Sequence, residues 1–187
     1  MAKVILVITG VPGTGKTRIA GILKKRIKGV EVIRATDLIN RKKLFSSYGS
    51  DGSKIVKMAP LSRVINNEVS RSKARVIILE GHILCDIKVR GAKAVVLREH
   101  LAAVKKRLLA RGYGKDKIRA NLVSEATDYC GAHAARNYNN VFEMFSGSRT
   151  TLPNLIRMAK GEKVKKQSID LLEELRRIIK EDRDLAL

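Results

Sequence analysis

A chain of 187 residues with 44% hydrophobic content has room for one α/β domain with its own core, which excludes both a disordered chain and two well-stocked domains. Aromatic residues make up 4% and tryptophan is absent, so the core must be aliphatic and base stacking on aromatic platforms is disfavoured. There are 39 Lys and Arg against 18 Asp and Glu, and a net charge of +21 exceeds what solubility requires and sets up a field that draws polyanions.

In chain order, the unbroken apolar run Val4-Ile5-Leu6-Val7-Ile8 predicts a buried strand over residues 3–9 rather than a signal peptide. A glycine-rich segment, residues 10–17, follows it. The spacing of Ile19, Ala20, Leu23 and Ile27 then predicts a helix over 15–28, stopped by Gly29. Val30–Arg34 reads as a second strand, after which Thr36 or Asp37 caps a helix running to about Phe45. Residues 46–57, with Ser, Gly and Asp, read as a mobile loop. Pro60 opens a helix to about Ser70 with Leu61, Val64, Ile65 and Val69 on one face. Val76-Ile77-Ile78-Leu79, ending in Glu80, is the third strand and Ala94–Leu97 the fourth. A helix from Glu99 to Arg111 breaks at Gly112-Tyr113-Gly114, and Asp116 begins a single helix reaching Ala135. Val141–Phe145 is a fifth strand, and helices over 153–160 and 168–181 follow. Continuous apolar strands alternating with helices predict a parallel sheet covered on both faces, with ligands bound at its carboxyl edge.

Gly10-Val11-Pro12-Gly13-Thr14-Gly15-Lys16-Thr17 fits G-x-x-x-x-G-K-[ST], the loop that cradles phosphates. Backbone N–H groups must wrap a triphosphate, so side chains are absent at Gly10, Gly13 and Gly15, where the chain comes closest. The helix behind the loop offers free N–H groups and its positive dipole end. Lys16 is expected on the β- and γ-phosphates and Thr17 on Mg²⁺. An ordinary glycine-rich turn is the alternative, which the strand before and helix after disfavour.

Glu80, at the end of a strand behind a P-loop, suits a partner for Mg²⁺ or for water, with a plain loop salt bridge as the alternative. His82 stands two residues on, and Gly81 is expected to let the backbone turn tightly between them. Arg107 and Arg111, four apart, are expected on one helix face beside a lid-like break. Their spacing leaves a solvated basic helix open, because Lys105 and Lys106 lie there too. His100 and His133 read as surface residues or helix contacts. Cys85 and Cys130 are far apart with no C-x-x-C spacing, which argues against zinc and for a reducing, cytoplasmic setting. No apolar stretch approaches membrane-spanning length, so no membrane partner is expected. Residues 18–75 hold 15 basic and 4 acidic side chains, a net of +11. A nucleic-acid-facing role is expected for this excess, on Lys24, Lys25, Lys28, Arg41, Lys42, Lys43, Lys54 and Lys57.

Together these residues resemble the nuclear and archaeal type of adenylate kinase, also described as a coilin-interacting nuclear ATPase. The likeness covers residues 3–145 and rests on Gly10–Thr17, Thr36-Asp37-Leu38, Glu80-Gly81-His82, Leu97-Arg98, Arg107-Leu108, Arg111-Gly112-Tyr113, Lys117-Ile118, Asn121 and Glu125. It implies a three-layer α/β P-loop NTPase fold with about five parallel strands, nucleoside monophosphate kinase-like with a short lid. In those terms residues 1–187 are one kinase domain, with a core of 3–35 and 74–181, a monophosphate-binding insert of 36–73 and a lid of 111–118.

The implied reaction is Mg²⁺-dependent transfer of the γ-phosphoryl group of ATP to a nucleoside monophosphate, AMP favoured. ATPase activity is implied as well, with a role in small ribosomal subunit maturation through a ribosomal protein or rRNA. By the same resemblance Gly10, Val11, Pro12, Gly13, Thr14, Gly15, Lys16 and Thr17 hold ATP together with Arg107 and Arg111. Lys16, Glu80, His82, Arg107 and Arg111 serve the transfer step, Thr17 and Glu80 serve the metal, and Thr36, Asp37 and Arg41 serve the monophosphate. Relatives usually carry an arginine three residues after the Asp of the second helix, where this chain has Asn40 and then Arg41, turned by about 100°. That departure and the basic excess favour a rival, an ATP-driven assembly factor for an RNA–protein complex with vestigial kinase activity. A small-metabolite or polynucleotide-end kinase is a remoter alternative. Beyond Phe145 the likeness is loose, and residues 160–166, with four lysines, read as a polyanion contact or a linker.

Overall fold

A strand that is apolar at every position has to be covered on both faces, and this requirement shapes the whole molecule. The computed structural model describes residues 3–49 and 52–181. The chain runs β1 (Val4–Thr9), α1 (Lys16–Arg26), β2 (Val30–Arg34), α2 (Ala35–Arg41), β3 (Phe45–Tyr48), β4 (Lys54–Val56), α3 (Met58–Arg71), β5 (Val76–Glu80) and a 3-10 turn (His82–Asp86). It continues through β6 (Lys93–Arg98), α4 (Leu101–Leu109), α5 (Lys115–Ala126), α6 (Tyr129–Asn137), β7 (Val141–Phe145), α7 (Thr151–Ala159) and α8 (Leu172–Glu181). Five strands form a parallel sheet in the order β2-β5-β1-β6-β7.

Successive residues of the central strands feed two separate cores. Ile5 and Val7 of β1, Ile77 and Leu79 of β5, and Ala94 and Val96 of β6 pack under α3, α4, α5 and α6. Their neighbours Leu6, Ile8, Ile78, Val95 and Leu97 pack under α1 and α7 with Ile19, Leu23 and Leu155. This is the three-layer α/β fold of P-loop proteins. No helix among the described residues is long and apolar enough to cross a membrane.

Two expectations fail at non-glycine residues in the left-handed region. The second helix does not run to Phe45: it ends at Arg41, and Lys43 (φ 50°) turns the chain so that Leu44 N–H bonds the Ile39 carbonyl. Residues 46–57 are not simply a loop, since Phe45–Tyr48 and Lys54–Val56 pair as an antiparallel hairpin, with Lys54 Nζ 4.4 Å over the Phe45 ring. Within this stretch Ser50 and Asp51 lie outside the described residues. The long helix expected from Asp116 is two helices. Asp128 (φ 52°) breaks it, and its carboxylate accepts the Gly131 N–H at 3.1 Å to cap α6.

At the carboxyl end of β6 a guanidinium is buried. Arg98, 1% exposed, donates to Glu125 Oε1 (3.1 Å), Asp128 Oδ1 (2.9 Å), Glu143 Oε2 (2.9 Å) and the carbonyls of Glu125 (2.6 Å) and Ile169 (3.2 Å). Burial pushes the Glu125, Asp128 and Glu143 carboxyls up, and the Arg98 charge opposes that rise. The network ties β6 to α5, the cap of α6, β7 and the segment entering α8. Arg98→Met removes the cation that bonds three carboxylates, and breaking a buried network of this kind costs about 3–5 kcal/mol. Urea unfolding at pH 7 measures this, and a loss under about 1 kcal/mol would place the carboxylates in contact with water instead.

Candidate active site

Parallel register sets the site. Ile8 of β1 and Arg34 of β2 both align with Glu80 of β5, so the ends of three strands meet at one edge. The loop leaving β1 is bent by positive φ at Gly10 (133°), Gly13 (96°) and Gly15 (89°). Protein contacts demand glycine here as well as ligand approach: a Cβ on Gly10 would lie 2.4 Å from the Leu97 carbonyl oxygen, and one on Gly15 would lie 2.8 Å from Ser146 Oγ. Thr14 is buried and donates to the Val11 carbonyl. Lys16 opens α1, and its Nζ donates to the carbonyls of Gly10 and Val11, both at 2.8 Å. Burial lowers the Lys16 ammonium to about 8, against the pull of the Glu80 and Glu125 carboxylates.

The loop opens on a cleft of about 540 Å³ lined by Pro12, Gly13, Gly15, Lys16, Thr17, Arg18, Thr36, Glu80, Gly81, His82, Arg107, Arg111 and Tyr113. Glu80 is the one carboxylate lining it among the described residues, facing the cations Lys16, Arg18, Arg107 and Arg111. Thr17 Oγ1 donates to the Glu80 carboxylate at 3.2 and 3.3 Å, so the two residues expected at a metal are already in contact. Both are oxygen donors with an open side toward the cleft, the ligand type that Mg²⁺ takes.

His82 is held through its backbone. Its carbonyl accepts from Thr9 Oγ1 at 2.9 Å, while Tyr138 Oη bonds the Leu84 carbonyl and Asn137 bonds that of Cys85. At the far end of the turn Asp86 meets His133 Nδ1 at 2.5 Å. Gly81 is extended, so no tight turn explains it. A Cβ there would lie 2.8 Å from the Cβ of Ala35, and glycine lets the start of α2 approach. The His82 ring is open to the cleft by accessible area, yet the protein crowded around it, and then the Lys16 charge, lower it to about 4. Because both causes act in one direction, the imidazole is neutral at pH 7.

Arg107 and Arg111 both reach the cleft, though not from one helix face. α4 ends at Leu109, leaving Arg111 in the following turn. Arg107 Nη1 donates to the Gly13 carbonyl (2.7 Å) and to Glu99 Oε2 (2.8 Å), so it braces the phosphate loop. Thr36 lines the cleft, whereas Asp37 and Arg41 do not, and Arg41 pairs with Glu68 at 3.6 Å. Asn40, where an arginine was missing, accepts from Lys54 Nζ at 2.5 Å. Sequence reading missed Arg18, Arg34 and Glu99. Arg34 lies 3.6 Å from Glu80, and buried Glu99 follows β6 much as Glu80 ends β5, which was a usable signal. It also missed Ser146, whose buried hydroxyl lacks a hydrogen-bond partner among the described residues. Ser146 lines a second hollow of about 350 Å³ that shares Arg18 with the cleft and includes Ile22 and Arg149.

The AAA domain family matches residues 6–128 of this chain. A protein of Methanosarcina acetivorans named "Putative adenylate kinase" is 32% identical over 151 residues, covering 76% of this chain and 77% of that protein. One of the same name from Methanocaldococcus jannaschii is 29% identical over 172 residues, covering 90% and 93%. Among solved structures, shikimate kinase from Acinetobacter baumannii is similar in fold, with a TM-score of 0.60 at 16% identity over 87% of this chain and 96% of that one. With the phosphate loop, the strand-end carboxylate and the sheet order on the same molecule, the chain belongs to the archaeal-type adenylate kinase family.

Proposed function

We propose that this protein transfers the γ-phosphoryl group of ATP to a nucleoside monophosphate, with AMP the preferred acceptor. The observation that carries the reading is the convergence of Lys16, Thr17, Glu80, His82 and Arg111 on one cleft. The preference for AMP rests on what the archaeal relatives are named. Lys16 exchanges its two loop carbonyls for oxygens of the β- and γ-phosphates, whose charge raises its pKa and keeps it an ammonium. Thr17 and Glu80 hold Mg²⁺, which when bound neutralises charge spread over those phosphates. Arg107 keeps the loop in shape through Gly13, and Arg111 meets the charge that builds on the transferring group. His82, neutral and aimed into the cleft, offers a hydrogen bond without adding charge.

The adenine end of the donor is assigned to the hollow that shares Arg18 with the cleft and is lined by Ile22, Ser148 and Arg149. Thr36 faces the acceptor, with Asp37 beside it, and Arg41 joins them only by leaving Glu68. Residues 36–73 act as the acceptor-binding insert and 111–118 as the lid. Lys117 Nζ meets Ser53 Oγ at 2.6 Å, which joins the two segments across the opening. A second reading, an ATPase that drives assembly of a ribosomal protein–RNA complex, is favoured by the net charge of +21. Cys85 and Cys130 are buried and free, which suits the reducing cytoplasm.

ADP formation measured with ATP alone and with each monophosphate separates the two readings. A rate that rises with AMP carries the kinase, and one indifferent to every monophosphate overturns it. In the same assay Lys16→Ala loses about 10²–10³ in turnover, because one stabiliser of transition-state charge is gone. Unchanged turnover would remove the loop from the mechanism.

The His82 ring should titrate near pH 4 by NMR. A folded value below the unfolded one near 6.5 means that its contribution to stability is present above pH 6.5 and is lost as pH falls through about 4. Lys16→Ala moves the midpoint upward, and a midpoint at 6.5 in the intact protein would contradict the crowding around the ring.

A further inference from the structure

Far from the cleft, at the amino ends of the strands, lies a groove of about 230 Å³ lined by Arg26, Lys28, Arg75 and Lys160 at its rim and by Ile27, Val76, Ile156 and Ala159. None of its lining residues is acidic. The four cations come from four segments: the end of α1, the turn into β2, the residue before β5 and the C-cap of α7. All four side chains are exposed, and none has an ion-pair or hydrogen-bond partner among the described residues. Two of the other cations expected to face a polyanion are engaged, Arg41 with Glu68 and Lys54 with Asn40 and the Phe45 ring, and the rest lie outside the groove. Like charges gathered without a counter-charge repel one another, and here they surround an apolar floor rather than open solvent.

We propose that this groove binds a single-stranded polynucleotide, with successive phosphates on Arg26, Lys28, Arg75 and Lys160 and bases against the Ile27 and Ile156 floor. Cations spread over four segments match a repeating charge better than one phosphate group. The apolar floor fits unpaired bases, which a duplex keeps inside its stack and an acidic peptide lacks. Val76 begins the strand that Glu80 ends, so about 13 Å of β5 separates the groove from the catalytic edge and both can be occupied together. The assignment sharpens the assembly-factor reading and is independent of phosphoryl transfer.

The test is anisotropy of a labelled oligouridylate of about twelve nucleotides, titrated with the full chain between about 50 and 200 mM KCl. Lys28→Ala/Arg75→Ala/Lys160→Ala should weaken binding at least tenfold and lower the magnitude of the log–log salt slope by about 2, three contacts at roughly 0.7 each. A control that removes the same charge elsewhere, Lys88→Ala/Arg90→Ala/Arg136→Ala, should keep the wild-type slope. Neither triple touches the catalytic cleft, so ATP turnover should match wild type and reports folding. Equal losses in the two triples would reduce the interaction to a diffuse field and overturn the groove. No binding at low salt, or competition by polyglutamate as strong as by unlabelled oligouridylate, would overturn the polynucleotide. A deoxythymidylate of equal length shows whether the 2′-hydroxyl is read, with similar affinity expected because the contacts are phosphates and base faces.

Discussion

The Arg98 guanidinium is sealed from water, so its charge has to be met inside the protein, and meeting it fixes much of the rest. Glu125 is shared: the oxygen that accepts from Arg98 Nε also accepts the Glu99 N–H at 2.9 Å. Glu99 in turn holds Arg107, and Arg107 holds the Gly13 carbonyl. A continuous line of polar contacts therefore runs from the closed interior of the sheet edge to the mouth of the phosphate loop. The loop's shape is set from behind by this line as well as from within by its own glycines. The same guanidinium reaches Asp128 and Glu143, so the α5–α6 junction and β7 answer to it too.

Positive charge in this molecule does two different kinds of work. Inside the cleft, cations are held by defined partners, Arg107 by Glu99 and Lys16 by two carbonyls, and such positioning is what phosphoryl chemistry uses. On the surface, the large excess acts at a distance and is blunted by salt. Composition reveals the second kind, because a sum of charges needs no coordinates. The first kind needs them.

The parts of the fold that could be read from sequence are those with uniform local chemistry. β1 and β5 stand where their apolar runs predicted, and β5 ends on Glu80. Errors fall where one non-glycine residue adopts an unusual backbone: Lys43 gives no sign of a left-handed turn, and Asp128 gives a weaker one than glycine would. The serine-rich β3 strand is mostly exposed and carries no buried alternation to betray it. In the site, the P-loop was legible because its chemistry is contiguous. Arg107 was legible as a cation but not as a brace, since its partner Gly13 lies 94 positions away. Arg41 looked like a substitute for a missing arginine until Glu68, on another helix, claimed it.

The contact between Gly81 and Ala35 binds two segments of different duty, the turn that carries His82 and the first residue of α2. Their backbones approach so closely that the pair has room for one methyl group, and Ala35 already supplies it. The space at one position is therefore set by the side chain at the other. A lineage that gains a side chain at 81 has to surrender one at 35, and a lineage that enlarges 35 pushes the histidine turn off its seat.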